Sequence, residues 1–388
     1  MKKALIAMSG VVDSSVAAYL TKEAGYECIG CTMKLFDNGD AAVSDSGKAC
    51  CTLEDAEDAR AVAFRLGMPH YMFNYKDEFR RCVIGQFVES YRHGETPNPC
   101  VECNRILKFQ ALMERAKVLG CEKLVTGHYA RVVQTENGWQ LRKGVDPAKD
   151  QSYFLHMLTQ EQLAHILFPL GELSKPEARA IAEAQGFRNA KKHDSQDICF
   201  VPDGDYARVI AQHAGELPPL GEYVDTAGNV LGTHEGIIHY TIGQRRGLGI
   251  ALGRVQYVVG IDAAHDRVVI GDSADLFTDT AYLSGVNWIP GKVPEEPVRC
   301  SAKIRSRHKE QPALLTFTDE THAVLKYDEP QRAITPGQYA VFYDGDNVLG
   351  GGRIASACNF AKPVFGIIVS ALLAVWSPRR HFHVPSMQ

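Results

Sequence analysis

The first 200 residues alternate short apolar runs with segments whose apolar side chains recur at helical spacing. Lys3–Met8 is apolar, short and followed by Ser-Gly, which is typical of a buried strand. Ser14–Ala24 carries apolar side chains on one helical face and stops at Gly25, a residue that favours a helix C-cap. The same pattern predicts strands at Tyr26–Met33, Tyr71–Asn74 and Lys123–Thr126, and helices at Leu53–Leu66, Asp77–Arg92 and Ile106–Leu119.

This strand and helix alternation predicts a parallel sheet that is covered by helices. In such sheets ligands bind beyond the carboxyl ends of the strands. We therefore expect the chemistry of this region in the loops that follow Met8, Met33 and Thr126.

After about Asp205 the pattern changes to that of β-structure. Tyr223–Leu231 and Tyr257–Ile270 have the alternation and turn residues of hairpins, and short alternating runs from 281 to 354 predict a small β-barrel. A later run, Pro363–Trp376, is apolar but too short to span a bilayer. We predict an α/β fold with a parallel-sheet domain at 1–204, a small central mixed or β domain at 205–278, a C-terminal β-barrel domain at 279–358 and an atypical apolar tail at 359–388.

Composition restricts the classes of function. The 388 residues are 45% hydrophobic and 23% charged, which excludes disorder and a membrane-spanning bundle as descriptions of the whole chain. The formal net charge is −4, so a nucleic acid would have to bind at local basic patches. The N-terminus runs directly into the first predicted strand without a signal peptide, so we expect a cytoplasmic protein whose 11 cysteines are reduced.

One short run suggests a basic patch. Every odd position of Ala302–Lys309 is basic: positions 303, 305, 307 and 309 are Lys, Arg, Arg and Lys. A strand here would therefore place four cations on one face. Such a stripe predicts a phosphate track, the alternative being a solvated charged face. Arg245-Arg246 and Lys191-Lys192 are further local basic sites.

The loop Ser9–Ser15 joins the first predicted strand to the first predicted helix. Backbone N–H groups and the positive helix end converge at such a junction and form an anion cradle. Neither G-x-x-x-x-G-K-[ST] nor G-x-G-x-x-G occurs there. The alternative interpretation is an ordinary helix start with Asp13 at the N-cap.

Several cysteines are close enough in sequence to be considered as ligands of a shared metal ion. Cys28 and Cys31 lie in a predicted strand, where positions three apart face opposite sides, and this argues against a shared metal. Cys50-Cys51 has no partner at ligand spacing. Cys100 and Cys103 have zinc-knuckle spacing, but a second C-x-x-C at the proper distance is missing. We therefore predict no metal site.

Cys199 stands in a different setting. It follows His193 and the Lys191-Lys192 pair, whose positive charges would favour a thiolate.

Eight ordered segments over about residues 3–355 carry a family resemblance: Met8–Ser15, Thr32–Lys34, Thr96–Asn104, Thr126–Tyr129, Lys149–Phe154, Asp194–Cys199, Thr241–Gly247 and Thr335–Gln338. The first segment is similar to the SGGxDS pyrophosphate loop of the N-type ATP pyrophosphatases. Together the segments resemble the bacterial tRNA-specific 2-thiouridylases of that superfamily, which make 2-thiouridine at the wobble uridine of tRNA.

The resemblance implies an ATP-pyrophosphatase domain and a reaction in two parts. ATP, as its Mg²⁺ complex, adenylates the C2 oxygen of uridine 34, and a persulfide sulfur then replaces that oxygen, giving 2-thiouridine, AMP and diphosphate. Cys199 matches the cysteine that carries the persulfide, and Cys103 matches the nucleophile that can form a disulfide with it. A second thiol would resolve the persulfide by thiol–disulfide exchange. No permanently bound cofactor is expected.

Other roles are implied by the same resemblance, and each of these residues could instead serve only the fold. The ATP-binding positions are Ala7, Met8, Ser9, Gly10, Val11, Val12, Asp13, Ser14, Met33 and Gly127. The positions that contact the target base are Asn98, Pro99 and Cys100, the last of which is an aspartate in part of the family. The tRNA-binding positions are His128, Lys149, Asp150, Gln151, Arg305, Ser306 and Gln338.

The implied partners are tRNAs with wobble-uridine anticodons, such as those for Lys, Glu and Gln, and a protein sulfur donor, either a cysteine desulfurase or a sulfur relay. No membrane partner is expected.

Val11 departs from the family pattern, which has a second glycine at this position. Glycine permits positive φ and close approach of phosphate, whereas valine is the least comfortable substitute. One alternative is therefore a tRNA-binding homologue that has lost catalysis through Val11. A separate alternative is another ATP-pyrophosphatase enzyme such as a GMP or NAD synthetase, which would share the loop and the fold but needs no paired cysteines. On this argument Val11→Gly should lower the KM for ATP.

Overall fold

The computed structural model describes residues 2–36, 53–192, 198–201, 204–215, 219–250, 253 and 255–358. The strands are β1 (Lys3–Ala7), β2 (Glu27–Lys34), β3 (His70–Asn74), β4 (Lys123–Val125), β5 (Ala130–Thr135), β6 (Gly138–Lys143), β7 (Ile166–Leu167), β8 (Gly221–Asp225), β9 (Val230–His234), β10 (Tyr257–Asp262), β11 (Arg267–Gly271), β12 (Phe277–Trp288), β13 (Val298–Lys303), β14 (Gln311–Phe317), β15 (Ala323–Arg332), β16 (Tyr339–Asp344) and β17 (Asn347–Cys358). The α-helices are α1 (Val12–Glu23), α2 (Leu53–Arg65), α3 (Lys76–Phe79), α4 (Gly85–Arg92), α5 (Pro99–Glu102), α6 (Leu112–Val118), α7 (Gln160–Ala164), α8 (Lys175–Ala184) and α9 (Tyr206–His213). Arg80–Ile84 and Cys103–Ala111 are π-helical, and Ser152–Leu155, Ile237–His239 and Ser273–Leu276 are short 3₁₀ turns.

The N-terminal sheet is parallel, with the strand order β3-β2-β1-β4-β7. Its two faces bury different cores: Leu5 and Cys31 belong to one hydrophobic cluster, whereas Ile6 and Cys28 belong to another. Because neighbouring side chains of a strand point to opposite faces, both sides of this sheet must be covered. The predicted parallel sheet and the opposite orientation of the two cysteines are confirmed.

Two predicted helices have different bounds in the structure. The helix predicted at 77–92 consists of α3, a π-helical segment and α4 in succession. The helix predicted to begin at Ile106 instead begins at Pro99, in its first turn. Proline suits this position because the N–H groups of a first helical turn have no partner within the helix, and proline has no N–H. Cys100 and Cys103 therefore lie on the start of a helix and not on a loop of zinc-knuckle type.

The central region forms a four-stranded sheet with the order β10-β11-β8-β9. Both predicted hairpins are present, β8 with β9 and β10 with β11, and β11 pairs in parallel with β8. A buried cluster that includes Tyr223, Tyr240 and Val258 lies beneath this sheet.

The last sheet is closed, because β12 pairs with both β15 and β17, and this confirms the predicted barrel. The hairpin of β5 and β6 extends it: Leu141 of β6 pairs with Val348 of β17. Sequence analysis did not predict this pairing, which joins an N-terminal segment to the barrel.

The prediction that the basic residues of 302–309 line one face of a strand is wrong. β13 ends at Lys303, the chain turns, and β14 begins at Gln311, where it pairs with Ala302. The intervening segment offers the core one large apolar side chain, the buried Ile304, and its polar residues form the hairpin connection.

No helix within the described ranges is long and apolar enough to cross a membrane. The described residues also contain no cluster of three or more His, Cys, Asp or Glu side chains suited to a metal ion. Cys50-Cys51, His193 and the apolar run at 363–376 lie outside the described residues.

Candidate active site

The loop after β1 has its left-handed residue at Gly10. Gly10 has φ +78°, and a Cβ there would lie 2.1 Å from the backbone oxygen of Asp55. Val11 has φ −91° and ψ 165°, an extended conformation that β-branched residues adopt readily. The expectation that Val11 would strain this backbone is therefore wrong, because the preceding glycine supplies the conformation that only glycine tolerates.

Asp13 is not the N-cap of α1. That position is Val11, and Asp13 lies in the first turn. Its carboxylate accepts hydrogen bonds from the Lys175 ammonium at 2.7 and 2.8 Å and from the Tyr129 hydroxyl at 2.8 Å. Lys175 is only 7% exposed, so this ion pair is largely shielded from water.

Other buried groups fix the loop from outside. Asn189 Nδ2 donates to the carbonyl of Gly10 at 2.7 Å and to Ser15 Oγ at 2.9 Å. Lys192 donates to the buried carboxylates of Asp55 and Asp58 at 2.7 and 2.8 Å. Partial burial opposes the positive charge of Lys192, but these two carboxylates raise its pKa. The loop is therefore preorganised by residues far away in the sequence.

The carboxyl end of β4 approaches the same loop. A Cβ on Gly127 would lie 2.7 Å from the backbone nitrogen of Ser14, so only glycine allows this contact. Met8, Val12 and Met33 are buried core residues, and a ligand would reach them through their backbone groups. The structure thus brings the predicted ATP-binding residues of β1, α1 and β4 together at one edge of the sheet.

The two predicted catalytic cysteines share one hydrophobic cluster. Cys103 begins the π-helical segment, and both Cys103 and Cys199 are half-buried against the cluster that lies on one face of the N-terminal sheet. Cys28 and Cys300 pack in two other clusters, and burial raises the pKa of Cys28 to about 11 and that of Cys300 to about 12. Those two remain neutral thiols near neutral pH and are poor nucleophiles.

Barrel residues hold the segment that precedes Cys103. The N–H of Thr96 donates to the carbonyl of Pro336 at 2.9 Å, and Gln338 Nε2 donates to the carbonyls of Thr96 at 2.8 Å and Pro97 at 3.2 Å. Gly337, at φ +89°, permits this approach, since its Cβ would lie 2.9 Å from the nitrogen of Thr96. Gln338 therefore supports the predicted base-contact loop through its side-chain amide.

A buried polar contact lies next to Cys103. The Tyr339 hydroxyl donates to Glu102, which also accepts two hydrogen bonds from Arg105. Burial raises the pKa of Tyr339 above its ordinary value, so this hydroxyl keeps its proton and remains a donor. The barrel thereby fixes the helical turn that presents Cys103.

His128 is a core residue in this structure. Its ring packs against Phe109 and Phe168, its Nδ1 lies 2.6 Å from Thr126 Oγ1, and burial holds its pKa well below the ordinary value. The imidazole is therefore neutral at physiological pH. Direct contact of this ring with tRNA stays a prediction, which its 8% exposure does not favour.

Residues 149–151 organise the approach to the loop. Asp150 accepts hydrogen bonds from the N–H of Gly144 and Ser152, both at 3.1 Å. Gln151 exchanges two 3.0 Å hydrogen bonds with the backbone of Tyr129, whose hydroxyl binds Asp13. A predicted tRNA-binding segment is thus bonded through one tyrosine to the predicted ATP-binding loop.

Arg305 is tied to the protein. Its Nη2 donates to the carbonyl of Ala333 at 3.0 Å and to Thr335 Oγ1, and burial lowers its pKa. Ser306 lies beside it in the β13–β14 turn and is partly exposed. Their contact with tRNA stays a prediction.

Sequence reasoning missed Lys175, Asn189 and Tyr339. Lys175 had one signal, its place at the first turn of a helix whose capping box is formed by Ser174 and Glu177. Nothing local connects it with Asp13, which is 162 residues away.

Three family models match successive parts of the chain. They are described as a tRNA methyl transferase HUP domain over residues 2–203, a tRNA methyl transferase PRC-barrel domain over 207–272 and an aminomethyltransferase beta-barrel domain over 278–354. Together they cover the three β-containing regions seen in the structure.

Curated relatives match nearly the whole chain. The tRNA-specific 2-thiouridylase MnmA of Geotalea uraniireducens (strain Rf4) is 48% identical over 361 residues, which are 92% of this chain and 96% of the relative. The protein of the same name from Lachnoclostridium phytofermentans is 47% identical over 355 residues, covering 91% and 99%. Among solved structures, NMN synthetase from Francisella tularensis aligns with a TM-score of 0.32 at 15% identity over 55% of this chain and 78% of that one, too remote to bear on function.

Proposed function

Because the chain belongs to the family of tRNA-specific 2-thiouridylases, we propose that it replaces the C2 oxygen of the wobble uridine of tRNA with sulfur, using ATP. The observation that carries this proposal is the 48% identity to a tRNA-specific 2-thiouridylase over 92% of the chain. Cys103 and Cys199, the predicted catalytic cysteines, are both half-buried against the hydrophobic cluster on one face of the N-terminal sheet. One of them stands on a helix start that the barrel holds in place. We propose that these two thiols carry out a sulfur transfer that ends in a disulfide.

The first chemical step activates the uridine. Its C2 oxygen attacks the α-phosphorus of ATP, the bond to the β-phosphate oxygen breaks, and diphosphate leaves with the Mg²⁺ that entered as part of the ATP complex. The N–H groups of residues 9–14, at the positive end of α1, would bind phosphate oxygens. Gly10 and Gly127 leave the backbone accessible there, since neither carries a Cβ.

The second step transfers sulfur. The terminal sulfur of a Cys199 persulfide attacks C2, the C2–O bond breaks, and AMP leaves with the oxygen. The Cys103 thiolate attacks Cys199 Sγ, which breaks the sulfur–sulfur bond and leaves 2-thiouridine and a Cys103–Cys199 disulfide. A thiol reductant then restores both thiols, and a protein sulfur donor, a cysteine desulfurase or a sulfur relay, reloads Cys199.

The base would be held by the segment that the barrel supports. We propose that Asn98, Pro99 and Cys100 contact the target uridine, with Gln338 holding their loop. Cys100 is exposed at the first turn of α5, where a thiol stands in place of the aspartate of other family members. We propose no general acid or base at this position.

We propose that residues 1–204 form the ATP-binding domain, 205–278 a central domain and 279–358 a tRNA-binding barrel. The substrates would be tRNAs for Lys, Glu and Gln, because these carry wobble uridines. We also propose a cytoplasmic location, where tRNA and reduced thiols are both available.

An impaired homologue is the weaker alternative. Its support was the β-branched residue at position 11, and Val11 adopts an extended conformation that suits valine. No contact in the described residues favours a GMP or NAD synthetase.

The direct test is thiolation in vitro. The protein is incubated with unmodified tRNA, ATP, Mg²⁺, a desulfurase and cysteine, and the wobble nucleoside is analysed by mass. We expect a gain of one sulfur in place of one oxygen, dependent on ATP. Binding of tRNA without this mass gain would contradict the proposed function.

The ion pair at the phosphate loop gives a separate prediction. We expect Lys175→Met to raise the KM for ATP by at least about 10-fold, because removing one partner of a buried pair leaves the Asp13 charge uncompensated beside the phosphates. The measurement is AMP formation against ATP concentration with saturating tRNA.

Lys123→Met is the matched control for that variant. Lys123 is a part-buried lysine at the opposite end of the same sheet, where it donates to the carbonyl of Ala164. Its KM for ATP should remain within about twofold of the wild-type value. An equal rise in both variants would mean that Lys175 acts only through general stability.

A further inference from the structure

Three exposed arginines lie on two segments that pack together where the central region joins the barrel. Arg245 and Arg246 are exposed on the loop between the 3₁₀ turn Ile237–His239 and β10, and Arg332 is exposed at the end of β15. We call Arg245, Arg246 and Arg332 the junction arginines. The family resemblance implied tRNA contact in this region for Arg305 and Ser306; it included the segment Thr241–Gly247 but gave no role to Arg245, Arg246 or Arg332.

Close packing brings the loop and the barrel edge together. A Cβ on Gly243 would lie 3.3 Å from the Cβ of Ala333 and 3.9 Å from Nη1 of Arg332. Arg305, from the β13–β14 turn, reaches the carbonyl of Ile242 at 3.5 Å and that of Ala333 at 3.0 Å. Arg305 therefore fastens the loop to the barrel and is itself used by protein acceptors.

Hydrogen bonds order residues 241–246, the part of the loop that carries Arg245 and Arg246. Gly243 N–H donates to the carbonyl of Val258 at 2.8 Å, and Val258 N–H donates to the carbonyl of Gln244 at 2.9 Å. The side chain of Gln244 closes the turn, accepting from Thr241 N–H at 3.1 Å and donating to the carbonyl of Arg246 at 3.0 Å. Little backbone ordering would therefore be needed when a ligand binds.

The positive charge at this junction is uncompensated. Within the described ranges no carboxylate forms an ion pair with a junction arginine, and Arg332 instead lies 5.0 Å from the ring centre of Tyr257. By contrast, Arg299 on the barrel pairs with Asp328 at 2.7 and 2.8 Å. Neighbouring like charges without a counter-charge are unfavourable, and an anionic partner with several charges would relieve this.

The junction borders the predicted base-contact segment. Thr241, at the start of the loop, lies 3.4 Å from Thr96 through their hydroxyl oxygens. Asn98 lies beside the Tyr153 side chain, which is also close enough to the Arg305 guanidinium for the two to interact electrostatically. An anion bound at the junction would therefore lie beside the nucleotide that reacts.

We propose that the junction arginines bind phosphates of the tRNA anticodon arm next to the wobble nucleotide. Guanidinium groups suit this role because each can donate two parallel hydrogen bonds to a phosphate. Such contacts set the register of the RNA on the protein without reading sequence. The identity of the RNA rests on the proposed function, whereas the phosphate chemistry rests on the arginines themselves.

The test compares two charge-matched triple variants. The first is R245Q/R246Q/R332Q, which removes the junction arginines. The control removes three cations of the central and barrel regions that already have carboxylate partners, namely Arg267→Gln, Lys292→Gln and Arg299→Gln together. Both variants change the net charge equally, so a difference between them reports position and not overall field.

The measurement is the Kd of an isolated anticodon stem-loop RNA against salt concentration. For the junction variant we expect binding about 10- to 100-fold weaker and a log–log salt slope shallower by about 2 to 3, since each lost phosphate contact removes about 0.7 to 0.9. The control should keep the wild-type slope and bind within about threefold. The KM for ATP should be unchanged in both.

Equal weakening in the two variants, or an unchanged slope in the junction variant, would overturn the proposal. Weakening with full-length tRNA but not with the stem-loop would overturn its assignment to the anticodon arm. Failure of the proposed function would look different: the wild-type protein would bind the stem-loop with the expected salt slope and yet add no sulfur.

Discussion

Cys199→Ser is expected to lower the rate of tRNA thiolation at least about 10³-fold while leaving the Kd for tRNA within about twofold. A serine oxygen cannot carry the persulfide, so the sulfur-transfer step has no substrate. The substitution is nearly isosteric, and Cys199 is only half-buried, so we expect the fold to be retained. The measurement is single-turnover thiolation with saturating ATP and tRNA, together with tRNA binding.

Cys300→Ser serves as the control, because Cys300 is a half-buried thiol of the barrel that belongs to a different hydrophobic cluster. It should keep nearly wild-type thiolation. Cys103→Ser should distinguish the roles of the two thiols. Labelled sulfur from the donor should still load onto Cys199, but its transfer to tRNA should stop. A Cys199→Ser variant that loses tRNA binding as strongly as thiolation would contradict the assignment.

Gly10→Ala is expected to lower kcat/KM for ATP at least about 100-fold, the second large effect. The new methyl carbon would lie 2.1 Å from the backbone oxygen of Asp55, which is a steric clash. The backbone at this position also has φ +78°, a conformation that alanine rarely adopts. The loop or α2 must then move, and the N–H groups that would bind phosphate move with them. The measurement is tRNA-dependent AMP formation, with the melting temperature followed in parallel.

Val11→Gly is the matched control one residue along the chain. Val11 is already extended, so glycine removes no strain there, and the KM for ATP should stay within about twofold of wild type. This replaces the sequence-based expectation that the KM would fall. A substantially lower KM in Val11→Gly, or an unaltered kcat/KM in Gly10→Ala, would show that the loop is not governed by Gly10.

The sequence predicted the cysteine pair and the phosphate loop, but it did not predict how the fold holds them. The motif around Ser9–Ser14 predicted an anion cradle, and it could not reveal which position is left-handed, because φ depends on the contact between Gly10 and α2. Asp13 was assigned to the N-cap by a local rule. Its actual partners, Lys175 and Tyr129, come from distant segments that only the folded sheet brings together.

Local periodicity was a good guide wherever one element decides its own conformation. It predicted every strand of the parallel sheet except β7, together with the central hairpins and the barrel, because alternation and helical spacing record which face of each element is buried. It failed at Ala302–Lys309, where alternating cations fit a strand face but the chain turns after Lys303. It also could not show that β5 and β6 join the barrel sheet, since the pairing residues of β6 and β17 are about 200 residues apart in the chain.

By itself, the sequence identified the family, predicted most strands of the parallel sheet and the β-structure of the second half, and named candidate residues for the chemistry. The tertiary structure decided how those residues are held: Gly10 against α2, Asp13 against Lys175, and the Cys103 helix against Tyr339 of the barrel. The physical reason is that apolar periodicity and residue chemistry are local properties of the chain. Ion pairs, close backbone approach and burial depend on contacts between segments that are remote in sequence and adjacent only in the folded protein.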